Sequence, residues 1–145
     1  MENQAILIEQ VLDAPVSLVW KAISDKKEMK KWYFDLAEFK PDLGFKFQFM
    51  GGPSPEKQYL HLCEILEALP KRKLSYSWRY DGYEGNSIVC FELFAQGNKT
   101  LLKLSHTGIK SFPKDQPDFD ISNFNEGWTY LINTALKEYL KKNFN

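Results

Sequence analysis

The sequence predicts an α+β fold in which a curved antiparallel sheet wraps around one long C-terminal helix, with two short helices after the first strand. Three observations carry this. Much of residues 36–108 alternates apolar and polar side chains with period two, the mark of half-buried strands. Short turns rich in Gly, Pro, Asn and Asp divide that stretch, and strands joined by short turns pair antiparallel. The closing stretch "NFNEGWTYLINTALKEYLKKN" (123–143) then changes to helical spacing. Its Phe124, Trp128, Leu131, Ile132, Ala135, Leu136, Tyr139 and Leu140 share one face.

Each element follows in order. "QAILIEQVL" (4–12) has the β-rich composition of a first strand. Asp13 and Pro15 signal a helix start. Val16, Val19, Trp20 and Ile23 then recur at i, i+3, i+4 and i+7, so Trp20 is expected to be buried. "KKEMKKW" reads as a second short helix with Met29 and Trp32 inward. "GFKFQFM" sets Phe45, Phe47 and Phe49 against Lys46 and Gln48, and "GGPSPE" (51–56) reads as a turn. "KQYLHLCEILEAL" is a long strand, "PKRK" a turn, and "LSYSWRY" a strand with Leu74, Tyr76, Trp78 and Tyr80 on one side. After "DGYEGN", the strands "SIVCFELFA" and "LLKLSHTG" form a hairpin through "QGNK". A loop rich in Pro, Asp and Lys spans 109–122, and a helix over about 124–142 closes the chain. Three strands carry aromatic rings on one face, and the last helix has the stripe to cover them.

The 145 residues amount to one ordinary domain, residues 1–145. Nineteen basic and nineteen acidic residues cancel, so the basic footprint of a nucleic-acid binder is missing. The run "DKKEMKK" contains Asp25 and Glu28 and reads as a solvated helix face. Cys63 and Cys90 fit a reducing compartment. "MENQAILIEQ" lacks a basic n-region and a long apolar stretch, so it does not read as a signal peptide. Nothing approaches the roughly 20 apolar residues of a membrane span. The expectation is a soluble, cytoplasmic protein without nucleic-acid or membrane partners. The outstanding number is the aromatic content, 15%, which points first to a bulky core and also suits the wall of a ligand pocket.

Residues able to do chemistry are sparse. His61 and Cys63 share a strand face, but Cys90 is out of phase with Val89, Phe91 and Leu93, and no close Cys or His pair exists. No metal site is expected. His106, in phase with Leu102 and Leu104, is either a core histidine or a weak candidate for a general base. "SHTG" is not the GxSxG nucleophile elbow, and Gly51-Gly52 is not followed by the Lys of a phosphate loop. Glu64 and Glu67 fall on opposite strand faces unless a bulge intervenes.

The order and spacing of "APVSLVWKAISDKKEMKKW", "LPKRKLSYSW", "KTLLKLSHTGI" and "GWTYLINTALKEYL" resemble the START-like (SRPBCC, Bet v 1-like) helix-grip superfamily. More narrowly, they resemble the family of activator of heat-shock protein 90 ATPase homologues, over nearly the whole chain. Cys63 departs from the glycine common in that family, and Leu69, Pro70 and Lys71 stand where a Pro-Pro turn is usual. The resemblance implies an apolar small-molecule ligand, without a cofactor, in a cavity between sheet and C-terminal helix. Its expected walls are Phe45, Phe47, Phe49, Tyr59, His61, Tyr76, Trp78, Tyr80, Phe91, His106, Trp128, Leu131 and Ile132. Polar tips of Tyr59, Tyr76, Tyr80 and His106 would orient the ligand. The cavity is expected under the first half of the helix, opening beside 109–122. Two rival readings stay open: a module that binds a heat-shock protein 90-type chaperone, and a cyclase- or hydrolase-type enzyme with His106 as base.

Overall fold

The computed structural model describes residues 5–144, with side chains through 142; Gln4, the first residue of the expected opening strand, lies outside the described residues. Six strands form one antiparallel sheet: β1 (Ile6–Leu12), β2 (Lys46–Ser54), β3 (Lys57–Leu69), β4 (Lys73–Tyr80), β5 (Ser87–Gln96) and β6 (Lys99–Thr107). Their order is β1-β6-β5-β4-β3-β2. Strands β2 to β6 follow one another as hairpins, and β1 returns to pair with β6, Ile8 opposite Leu104. The period-two pattern becomes the burial pattern. Phe47 and Phe49 on β2, His61 and Cys63 on β3, and Tyr76, Trp78 and Tyr80 on β4 all face the core. Val89, Phe91, Leu102 and Leu104 continue it on β5 and β6. Phe45, just before β2, is only half-buried, packing edge-on against Phe39.

Helices α1 (Val16–Ser24) and α2 (Lys26–Trp32) follow β1. Asp25 caps α2, accepting from the Lys27 amide at 2.9 Å. Trp20 is half-buried, contrary to expectation; Val19, Ala22 and Ile23 form the buried face of α1. The indole N–H of Trp32 donates to the Ala22 carbonyl at 2.8 Å. The side of α1 that meets its neighbour is therefore the one bearing the small alanine, and bulky Trp20 is left at the rim. The expected turn at 51–56 is shorter, because β2 runs on to Ser54 through an irregular register. This needs a glycine at 52, where a Cβ would collide with the Lys57 carbonyl. A register shift between Ile65 and Glu67 is the bulge left open above. It sets Glu64 and Glu67 opposite Ser77 and Ser75, and Lys73 takes the Glu67 carboxylate at 2.8 Å.

Segment 109–122 is more ordered than a loop. Two 3₁₀ turns, Ile109–Ser111 and Pro117–Phe119, bury Ile109, Phe112 and Phe119. The last helix starts earlier than expected, at Ile121, because Asp120 caps it by accepting from the Ser122 amide. It runs as α3 (Ile121–Tyr130), a π segment (Leu131–Leu136) and α4 (Lys137–Phe144). The π segment has a reason in the sequence. The buried residues Phe124, Trp128, Ile132, Leu136 and Leu140 repeat every fourth position. In an α-helix each such step overshoots the face by roughly 40°. A π turn holds an extra residue, which swings the stripe back onto the sheet.

Deleting one residue should therefore have opposite effects at two sites. Removal of Thr134, exposed in the π segment, should leave an uninterrupted α-helix with Leu136, Tyr139 and Leu140 still inward, and a nearly unchanged denaturant midpoint. Removal of Asn125, in α3, should rotate Phe124 against Trp128 by about 100° and lower the midpoint sharply. Equal losses at both sites would refute the account.

Candidate functional site

The helix is fastened to the sheet by a chain of buried polar groups. Trp128 donates its indole N–H to Nδ1 of His106 at 2.9 Å. His106 lies 2.8 Å from the Ser87 hydroxyl through Nε2, and Ser87 donates to the Trp78 carbonyl at 2.7 Å. With Nδ1 accepting and the serine hydrogen committed, Nε2 must carry the proton. His106 is fully buried, and burial lowers its pKa to about 3. It is a neutral histidine with no free nitrogen to offer a substrate.

Along the N-terminal half of the helix, up to Trp128 and Leu131, helix and sheet border a groove of about 490 Å³, a size that suits a small molecule. One wall is Phe34 and His61, each backed by Phe49 with ring centroids 4.4 Å away. The floor holds Trp78, whose indole N–H donates to the Tyr80 hydroxyl at 3.0 Å. Phe119, from the 3₁₀ turn, stacks on Tyr80 at 4.3 Å and closes one side. The roof is helix α3, where Phe124, Gly127 and Trp128 are followed by Leu131. A Cβ on Gly127 would meet nothing within 4 Å, so the missing side chain leaves open groove. At the mouth, Asp118 accepts from the Tyr59 hydroxyl at 2.6 Å and pairs with Lys57 at 3.0 Å. This latch ties the 3₁₀ turn to β3. Hydrogen bonding to Asp118 raises the Tyr59 pKa to about 12 and holds the Asp118 carboxyl below its usual range.

Of the expected wall, Tyr59, His61, Trp78, Tyr80, Trp128 and Leu131 line this groove. Phe47, Phe49, Tyr76, Phe91, His106 and Ile132 lie behind it in the core, and Phe45 stands apart at the start of β2. The polar tips expected to orient a ligand are engaged with the protein itself: Tyr59 with Asp118, Tyr76 with Tyr33 at 2.7 Å, Tyr80 with Trp78, His106 with Trp128 and Ser87. What lines the groove is mainly aromatic side chains. Phe34, Phe119 and Gly127 were missed from sequence. Gly127 carried a usable signal, since a glycine inside an amphipathic helix costs about 1 kcal/mol against alanine and asks for a packing reason. Phe34 and Phe119 sit in irregular segments where periodicity says nothing. A second depression, about 500 Å³, lies partly on the outer sheet face among Lys46, Gln48, Glu64 and Arg79; its charged rim makes it a poor apolar site. Among the described residues, no three His, Cys, Asp or Glu side chains gather as a metal would require.

The family model described as activator of Hsp90 ATPase homolog 1-like protein matches residues 13–141. No curated protein matches the chain. Among solved structures, protein MLL2253 from Mesorhizobium loti superposes with a TM-score of 0.78 at 22% identity, covering 98% of this chain and 100% of that one. CalU16 from Micromonospora echinospora gives 0.74 at 26% identity, over 96% of this chain and 77% of that one. The Aha1 dimer from Colwellia psychrerythraea gives 0.72 at 15% identity, over 98% and 99%. These likenesses establish the helix-grip fold.

Both histidines should make the protein sensitive to mild acid. Burial holds His61 at a pKa of about 4 and His106 at about 3, against about 6.5 unfolded. Their native states are neutral. As pH falls below 6.5 the unfolded chain takes up protons that the native chain refuses, so stability declines until the native values are reached. The limiting slope is about 1.4 kcal/mol per pH unit for each histidine. Asp118 and Asp120, held low by hydrogen bonds, lose their contribution only in more acidic solution. Denaturant melts between neutral pH and about pH 4.5 should show this decline, and His61→Phe should halve its slope. A pH-independent midpoint over that window would contradict the neutral, buried assignments.

Proposed function

Because the chain belongs to the activator of Hsp90 ATPase homolog 1-like family, we propose that it is a non-enzymatic START-like domain that binds an apolar small molecule between its sheet and last helix. The observation that carries this is the groove itself: about 490 Å³, lined largely by aromatic side chains and opened above by the bare Gly127. Aromatic side chains in a concave site offer large apolar contact area with little entropy lost on binding. Among the described residues, no buried side-chain nitrogen or oxygen lacks a hydrogen-bond partner. The core therefore asks for no polar ligand group, and apolar contact supplies the affinity. The latch from Asp118 to Tyr59 and Lys57 is the natural gate, since it holds the segment that forms the groove's side.

A chaperone-regulating role rests on the family description. It would need an exposed partner surface instead of a groove, and no feature of the structure favours it over ligand binding. An enzymatic role would need a base other than His106.

A thermal-shift screen of uncharged, flat or elongated apolar compounds should find stabilising ligands, by about 2.7 kcal/mol at a hundredfold excess over the dissociation constant. Leu131→Trp and Gly127→Leu should fill the groove and abolish the shift while leaving the protein folded. Binding that survives both substitutions lies elsewhere. No shift with the parent protein, together with a stabilised Leu131→Trp, would mean a dry void.

A further inference from the structure

The lining of the groove has a sign. Two carboxylates, Asp118 and Glu126, stand in it, and no lysine or arginine does. The faces of aromatic rings are the negative part of their quadrupole and attract cations. Phe34, Tyr59, Trp78, Tyr80, Phe119, Phe124 and Trp128 bring seven aromatic side chains to one concave surface. His61 adds no positive charge, because burial keeps it neutral at ordinary pH. Asp118 is already balanced by Lys57, whose side chain stays 56% exposed outside the lining. Glu126 is exposed and has no ion pair among the described residues. One feature could have welcomed an anion, the positive N-terminal end of α3. It is already answered, since Asp120 accepts from both the amide and the hydroxyl of Ser122.

Resting on the reading of this groove as a small-molecule site, we propose that its ligand is an amine cation. Its apolar, preferably aromatic, body lies against the rings, and its ammonium group stands at the mouth toward Glu126. A carboxylate of the same shape would bring its charge up to aromatic rings and two acids. An uncharged analogue would keep the apolar contacts and gain nothing from the charge.

Calorimetric titration of three compounds sharing one body tests this: 2-(2-naphthyl)ethylamine, 2-(2-naphthyl)ethanol and 2-naphthylacetate, at neutral pH and in low salt. The amine should bind about tenfold more tightly than the alcohol, with the carboxylate weakest. Glu126→Gln should cut the amine's advantage by about threefold and leave the alcohol unchanged. Gly127→Leu should weaken all three. An alcohol or carboxylate that binds as tightly as the amine, or an amine preference untouched by Glu126→Gln, overturns the charge assignment and leaves the groove reading standing. If none of the three binds and the apolar screen is also empty, the groove reading falls and this proposal with it. If the screen finds ligands and the amine alone fails, the proposal falls by itself.

Discussion

Trp128 gives its indole N–H to His106 where no solvent reaches, and the position of the last helix follows from that contact. A buried donor without a partner costs about 1–3 kcal/mol, and here the partners form a chain: indole, imidazole, serine hydroxyl, strand carbonyl. Sliding or rotating the helix by one residue would orphan Nδ1 of His106 and the indole N–H at once. Apolar packing alone tolerates such slips, because one aliphatic side chain replaces another at small cost. The polar chain does not, so it sets the register of helix on sheet while the surrounding rings supply most of the buried area.

The π segment solves the next problem. Once Trp128 is pinned, the four-residue repeat that follows it would drift off the sheet in a regular α-helix. The wider turn at Leu131–Leu136 returns Ile132, Leu136 and Leu140 to full burial. The two ends of the helix thus meet the sheet differently. The C-terminal half closes through aliphatic side chains. The N-terminal half stands off on Phe124 and Trp128, and between them Gly127 contributes no bulk.

The groove follows from that difference. Rings favour offset or edge-to-face contacts over flat stacking of every pair, as Trp78 and Trp128 do at 5.8 Å with their planes at 54°. A cluster of tilted rings cannot be filled as an aliphatic core can. The segment from Ile109 to Phe119 covers the remaining side, held by Phe119 on Tyr80 and by the Asp118 latch. Phe119 buries an apolar side chain in the core and Asp118, beside it, carries charge at the mouth. The same short turn therefore both seals the site and gives it polarity.

The sequence by itself determined the α+β class, the strand run, the closing helix and the inward face of nearly every strand. Those depend on local periodicity, which a single chain displays openly: Tyr76, Trp78 and Tyr80 alternate with Ser75, Ser77 and Arg79, and they could face only one way. It also contained, unread, the four-residue repeat of the last helix and the glycine within it. Only the tertiary structure decided which aromatic residues line a space and which fill one. Tyr80 and Tyr76 share a strand and a face, yet one borders the groove and the other bonds to Tyr33 in the core. Only it decided that Trp20 sits at a rim and that His106 is a fastening. Those outcomes depend on the distance between helix and sheet at each point along their contact. That distance is set by side chains far apart in the chain, Trp128 and His106 above all, and no local pattern records it.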